Sequence, residues 1–200
     1  MSASASTPRV RRTQALYALV VLACALSDGR ALGGDAGLLA QAVGFVLVAS
    51  GTLWRLWSSV FVAGRKDVEV VVDGPYARCR HPLYFGTLLA GLGLGLTTRS
   101  VVLTAAVTAA LSIAVLRAIG REERWLEARH GQAWRDYRAR VPALLPRWQR
   151  PATPASRQVN LPVFRKAFLD AGSVLGLWLL LVLIDALRPH GWWPVPFALP

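Results

Sequence analysis

Two short stretches of this 200-residue chain carry the side chains that could do chemistry. The first runs from residue 73 to residue 86 and places Arg80, His81 and Pro82 directly before an apolar run. Proline suits the first position of a helix, because its missing N–H would have no partner there. The free backbone N–H groups at a helix start favour an anion. This stretch therefore predicts an anion-binding pocket at the edge of a membrane.

The second stretch lies in a basic, amphipathic segment between residues 117 and 166. Five of its residues recur at spacings of four, four, three and four, and so share one face of a helix: Glu122, Leu126, His130, Ala133 and Tyr137. A basic amphipathic helix ordinarily lies on a membrane surface, but that does not explain a glutamate on the apolar face. Gly131 is predicted to divide the segment into two helices.

The two stretches together match the chemistry of S-adenosylmethionine. A carboxylate such as Glu122 accepts hydrogen bonds from an amine or from ribose hydroxyls. Arginine, histidine or a helix start binds a carboxylate, and aromatic rings such as Tyr76 and Tyr84 suit an adenine or a sulfonium cation. On the chemistry of these side chains alone, binding of S-adenosylmethionine is a hypothesis.

The chain is predicted to be an all-α, multi-pass transmembrane protein. Apolar residues make up 54% of it, above the roughly 45–50% of soluble domains. About five spans are expected, at ~20 residues for a full crossing: 15–26, 38–63, 83–96, 100–119 and 171–187. The first run also has the layout of a signal peptide.

The charge distribution predicts the orientation. The net charge is +12, with 23 basic residues. A cytoplasmic N-terminus places 19 of these 23 in the tail and in the segments 65–80 and 117–166 on the inner side, as the positive-inside rule requires. Both chemical stretches then face the cytoplasm, and the expected location is the plasma (inner) membrane.

The remaining segments are expected to frame this pocket within one membrane domain, residues 1–200. Residues 68–72 are too short to span and are predicted to lie extended against the pocket. Residues 147–168 are interpreted as a proline-rich cytoplasmic linker, and residues 171–187 as the last transmembrane helix. Arg55, between Trp54 and Trp57, has two interpretations: it snorkels within an aromatic belt, or it faces inward near the site.

The two cysteines exclude a disulfide framework, and no spacing typical of metal ligands occurs. Cys79 lies inside the first stretch without a base to activate it, so a bystander thiol is the favoured interpretation.

Both stretches resemble the integral-membrane methyltransferases, which include isoprenylcysteine carboxyl methyltransferases and phospholipid N-methyltransferases. The first element of the resemblance is Asp73-Gly-Pro-Tyr76 followed by Arg80-His-Pro-Leu-Tyr84-Phe-Gly86. The second is Glu122-Glu123-x-x-Leu126, Gly131, Tyr137-x-x-Arg140-Val141-Pro142 and Pro146. The resemblance covers residues 54–146.

The resemblance implies binding of S-adenosylmethionine near the cytosolic face. By position, the cofactor contacts would be Val68, Glu69, Val70, Val71, Tyr76, His81, Pro82, Leu83, Tyr84 and Glu122. Arg80 and Arg140 would bind the cofactor carboxylate or the substrate. The acceptor would be a lipophilic small molecule or a membrane lipid: an isoprenylcysteine-type carboxylate, a phospholipid amine, or a small lipophilic thiol or acid. Neither nucleic acid nor metal is expected as a partner.

Two other classes of function compete with this interpretation. One is a non-catalytic membrane protein, a transporter or an accessory factor, that retains the scaffold. The other is a basic protein that binds anionic lipid or nucleic acid through residues 117–166, with binding that salt abolishes.

Overall fold

The computed structural model describes residues 32–65, 68–148 and 159–187. The described residues form five α-helices and one 3₁₀ turn: α1 (Gly34–Val62), the turn Gly74–Ala77, α2 (Pro82–Thr97), α3 (Val101–His130), α4 (Gln132–Arg140) and α5 (Leu161–Leu187). None of these residues lies in a β-strand. The predicted all-α class is confirmed, whereas the predicted first span, residues 15–26, lies outside the described residues.

Three of these helices, α1, α3 and α5, are long and apolar enough to cross a membrane. The 16 residues of α2 reach about 24 Å at 1.5 Å per residue, short of the ~30 Å hydrocarbon core. The 30 residues of α3 reach about 45 Å, so one end of this helix projects beyond the core. The chain is a multi-pass helical membrane protein.

The last helix is longer than the sequence predicted. It begins at Leu161 rather than at residue 171, so the predicted linker ends earlier than residue 168. Pro162 falls in the first turn, where the missing N–H is tolerated, and Asn160 Oδ1 accepts a hydrogen bond from the Val163 N–H at 3.2 Å. Hydropathy alone missed this polar first part because it contains Arg165 and Lys166.

Helices α1 and α2 pack antiparallel through glycines. A Cβ added to Gly93 would lie 2.5 Å from the carbonyl oxygen of Gly44. One added to Gly51 would lie 2.6 Å from the carbonyl oxygen of Gly86. Because small residues let helix backbones approach closely, these two pairs, seven residues apart on each helix, set the distance between α1 and α2.

Polar contacts hold α5 to the end of the bundle at which α2 turns into α3. Asp185 Oδ2 accepts hydrogen bonds from Gln41 Nε2 at 2.8 Å and from Arg99 Nη1 at 3.2 Å. Arg99 also donates to the carbonyl of Leu32 at 3.1 Å. These bonds hold α5 against α1 and against the turn after α2, so α5 is a fixed wall of the bundle.

We predict that Gly93→Val lowers thermal stability in detergent by several degrees, because overpacking a tight contact costs about 1–3 kcal/mol. The matched control is Gly176→Val on α5, where an added Cβ meets nothing within 4 Å. Thermal unfolding of the purified protein measures the difference. Equal melting temperatures for the two variants would contradict the glycine contact.

Candidate functional site

Arg80 joins the two chemical stretches. Its Nε and Nη2 donate to Oε1 of Glu123 at 3.0 and 2.8 Å. Its Nη1 donates to the carbonyls of Arg138 at 3.1 Å and Val141 at 2.6 Å. The Arg80 side chain is only 10% exposed, so its guanidinium is committed to bonds within the protein.

The backbones of the two stretches are also linked. The N–H groups of Arg80 and His81 donate to the carbonyls of Pro142 and Ala143 at 2.8 and 3.0 Å. The residues after the helix α4 therefore lie against the start of α2. Hydrogen bonds to the second stretch therefore hold the start of α2, although the bonded residues are about sixty positions apart in sequence.

His81 lies between the two glutamates at the start of α3's projecting end. Its Nε2 is 3.1 Å from Glu123 Oε1, and its Nδ1 is 4.0 Å from Glu122 Oε2. Burial lowers the pKa of His81, and the hydrogen bond to Glu123 only partly opposes this, so the imidazole is neutral at neutral pH. Because a salt-bridged carboxylate only accepts hydrogen bonds, Nε2 carries the proton and Nδ1 is left as an acceptor.

A small cavity of about 90 Å³ opens beside this cluster. Its lining is aromatic and apolar with a few polar groups: Val62, Glu69, Val70, Val71, Tyr76, Arg80, His81, Leu83, Glu122, Leu126, Trp134 and Tyr137. Tyr137 OH donates to the carbonyl of Tyr76 at 2.7 Å. Burial raises the pKa of both phenols, so they stay protonated.

Trp134 is a member of this lining that the sequence reasoning missed. It is 1% exposed, and its ring meets that of Tyr137 edge to face at 5.5 Å. Its Nε1 is buried and has no hydrogen-bond partner in the part of the chain that the structure describes. The available signal was its place three residues before Tyr137, on the same helix face. A buried indole N–H without a partner fits an acceptor atom of a ligand.

A larger chamber of about 650 Å³ adjoins the small cavity. The two share six lining residues: Val62, Tyr76, Arg80, His81, Leu83 and Glu122. Residues of α1, α2, α3 and α5 form the walls of the chamber, and its volume lies within the range of about 300–1,000 Å³ of small-molecule sites. The two cavities meet at His81 and Glu122.

Most of the predicted site residues are brought together here. The small cavity takes in Glu69, Val70, Val71, Tyr76, His81, Leu83 and Glu122, and the chamber adds Pro82 and Tyr84. As predicted, the segment containing Val71 packs against the pocket without a sheet, with Val71 buried beside Phe61 and Tyr76. The Glu122 side chain is 34% exposed, which leaves its carboxylate accessible from the cavities.

Three predicted residues are placed differently. Val68 is 72% exposed and lines neither cavity, because the chain turns towards the pocket only after it. Arg140 lies on the exposed face of α4, where its Nε donates to the carbonyl of Asp136. Arg80 borders both cavities, but its guanidinium donates to Glu123 and to two carbonyls rather than pointing an unpaired charge into the cavities.

Two further side chains have defined surroundings. Cys79 is fully buried, and burial raises its thiol pKa to about 12, so it is not a nucleophile at neutral pH. Arg55 faces inward, where its Nη1 donates to Thr87 Oγ1 and to the carbonyl of Leu83 at 3.5 Å. Of its two interpretations, the structure favours the inward one.

Comparison with known proteins places these features in a family. Residues 35–133 match the family described as phospholipid methyltransferase. The chain is 31% identical over 182 residues to the nickel-cobalt-cadmium resistance protein NccN of Alcaligenes xylosoxydans xylosoxydans, covering 90% of this chain and 85% of the relative. It is 32% identical over 149 residues to the cobalt-zinc-cadmium resistance protein CzcN of Cupriavidus metallidurans, covering 74% and 68%. No solved structure matches it significantly. The match extends from α1 through the end of α3, which includes Arg80, His81 and Glu122, and the chain belongs to the phospholipid methyltransferase family.

Proposed function

We propose that this protein is a membrane methyltransferase that uses S-adenosylmethionine to methylate a lipophilic acceptor. The observation that carries the proposal is the pair of adjoining cavities: a small one with the Glu122 carboxylate and the Trp134 indole among aromatic rings, and a larger one with an apolar wall on α3. They meet at His81 and Glu122. A transfer between a polar donor and a lipophilic acceptor requires two such compartments with a common boundary.

The groups around the small cavity fit the donor. Glu122 offers a carboxylate to amine or hydroxyl donors, and the indole N–H of Trp134 offers a hydrogen bond to an acceptor atom. The ring of Tyr76 supplies a face for adenine or for a sulfonium cation. Because 90 Å³ is less than a whole nucleoside needs, part of the cofactor would extend into the shared mouth at Leu83.

The larger chamber fits the acceptor. Four apolar residues of α3 line it, and they form a surface suited to a hydrocarbon chain: Leu111, Ala114, Val115 and Ala118. α5 packs mainly against α1 and α3 mainly against α2, so α3 and α5 face each other across the chamber. We infer that the acceptor enters from the lipid between them.

Transfer of the methyl group to the acceptor requires alignment of the reacting atoms more than acid–base catalysis. The bound cofactor supplies an electrophilic methyl group on a sulfonium. Pro82 and Leu83 fix the start of α2 at the boundary, and the apolar wall excludes water from it. His81, held by Glu123, keeps an acceptor nitrogen, Nδ1, at this boundary, where it can take the proton of an amine, acid or thiol acceptor.

We also propose a location for the site. S-adenosylmethionine is a cytosolic compound, and 19 of the 23 basic residues fall in segments that the positive-inside rule assigns to the cytoplasm. We therefore place the site on the cytoplasmic side of the plasma (inner) membrane.

We predict that Glu122→Gln weakens S-adenosylmethionine binding at least tenfold, because hydrogen bonds to a charged acceptor contribute about 1.5–3 kcal/mol. Calorimetric titration of the detergent-solubilised protein measures the affinity. The matched control is Glu127→Gln, on the same helix, whose carboxylate pairs with Arg135 and Arg138 outside the cavities. Wild-type affinity in Glu122→Gln would contradict the placement of the cofactor.

Trp134→Phe is predicted to weaken the same binding about fivefold, since it removes one hydrogen-bond donor worth about 1 kcal/mol but keeps an aromatic ring. The titration is repeated with Trp148→Phe as the control, because Trp148 is 94% exposed. If both variants bind like the wild type, the indole N–H does not contact the cofactor.

The names of the relatives favour a second candidate, a non-catalytic factor in metal resistance. Both NccN and CzcN are named for resistance to cobalt and cadmium. Within the described residues no group of three or more His, Cys, Asp or Glu side chains is placed to hold a metal ion. A contribution to resistance would then act through the membrane or through a partner, with or without methyl transfer.

Growth of a metal-sensitive bacterial strain on cobalt or cadmium separates the two candidates. If methyl transfer underlies any resistance, the wild type and Glu127→Gln protect the strain, and Glu122→Gln does not at equal membrane abundance. Protection by Glu122→Gln equal to that of the wild type would favour the non-catalytic factor.

A further inference from the structure

We propose that Arg55 and Lys166 form a binding site for the anionic headgroup of a lipophilic acceptor, on the polar side of the larger chamber. This inference rests on the proposed methyltransferase function and assigns the acceptor class. Arg55 belongs to α1 and Lys166 to α5, and both line the chamber. The ligand class is an amphiphile that carries a carboxylate or a phosphate.

Arg55 lies within the bundle without a carboxylate partner. It is seven residues from the end of α1, about 10 Å along the helix. A guanidinium has five N–H donors, and the hydrogen bonds to Thr87 and to the carbonyl of Leu83 both use Nη1. No Asp or Glu of the described chain lies within 4.0 Å of it. An intramembrane arginine with spare donors is suited to an anionic ligand.

Lys166 brings a second cation to the same chamber. It sits one helical turn before Asp170, and both side chains line the chamber. Asp170 also lines, together with Arg55, a gap of about 20 Å³ between α1 and α5. Among the described residues, no ion pair joins Asp170 to either cation. These three charges therefore give this side of the chamber a formal charge of +1.

The wall of the chamber on α3 indicates the chemistry of the rest of the ligand, beyond its anionic headgroup. Leu111, Ala114 and Val115 of α3 face the chamber and provide an apolar surface for a hydrocarbon chain. With its anion bound by Arg55 and Lys166, the acceptor would lay its hydrocarbon chain along this wall. Its nucleophilic group would then lie near His81 and Glu122, which line the same chamber. Lys166 lies on α5, beyond the family match at residues 35–133, so the acceptor preference can change without changing the cofactor cavity.

The test uses the full-length protein in phosphatidylcholine nanodiscs. The probes are a fluorescent polyene fatty acid, its methyl ester and a monoalkyl phosphate of equal chain length. Energy transfer from the protein's tryptophans reports binding of the first two, and the phosphate is measured by displacement of the fatty acid. We expect the acid to bind at least tenfold more tightly than the ester. A lower dissociation constant for the phosphate than for the fatty acid would identify a phosphate headgroup, and a higher one would identify a carboxylate.

Substitutions then test the two cations. Arg55→Gln and Lys166→Gln should each lower the affinity for the acid about tenfold and leave the ester unchanged. Asp170→Asn should raise the affinity for the acid severalfold, because it removes a like charge. The matched control is Arg165→Gln, on the same helix turn but outside the chamber, which should bind both probes like the wild type.

Equal binding of acid and ester by the wild type would overturn the proposal. So would an effect of Arg165→Gln as large as that of Lys166→Gln, which would indicate attraction to the surface alone. If Arg55→Gln fails to fold, Lys166→Gln and Asp170→Asn decide the outcome. S-adenosylmethionine titration of the same samples separates the two claims: intact cofactor binding with no preference for the acid rejects only this inference, whereas absent cofactor binding in the wild type rejects the proposed function.

Discussion

The ion pair between Arg80 and Glu123 is the interaction on which the site depends. Arg80 precedes α2, and Glu123 lies on the projecting end of α3. The same guanidinium binds two carbonyls at the end of α4, so one side chain holds three elements together. A buried charge of this kind is costly without its partner. Arg80 lines the small cavity, and the pair fixes His81 through Glu123.

The two neighbouring glutamates have different surroundings because of this pair. The Glu123 carboxylate accepts hydrogen bonds from Arg80 and His81, and its side chain is 13% exposed. Glu122, one residue earlier, points to the other side and keeps its carboxylate at the boundary between the cavities. The glycine contact between α1 and α2 supports this division from within the membrane, since it brings Arg55 and the start of α2 to the same chamber.

Much of this arrangement could be predicted from the sequence. Proline after Arg80-His81 predicted the start of α2, and Gly131 predicted the break between α3 and α4. The single buried face predicted from Glu122 through Ala133 is wrong in part, because the Glu122 side chain is 34% exposed and Ala133 is exposed. Trp134 lies three residues before Tyr137 on the same helix face, but the lack of a partner for its N–H could not be predicted, because it is a property of packing. The exposure of Arg140 and the occupation of Arg80 also depend on contacts between distant segments, which spacing does not contain. The early start of α5 was missed because its first turns are charged and its proline is tolerated at a helix start.

A structure determined with bound S-adenosylhomocysteine would test the central claim most directly. The account predicts that part of the nucleoside lies in the small cavity and the rest in the shared mouth at Leu83, with Trp134 Nε1 donating to the ligand and the Glu122 carboxylate accepting from it. It also predicts that the sulfur faces the larger chamber beside His81, while the bond between Arg80 and Glu123 stays closed. A ligand bound elsewhere, or one that displaces Glu123 from Arg80 to reach that guanidinium, would contradict the account.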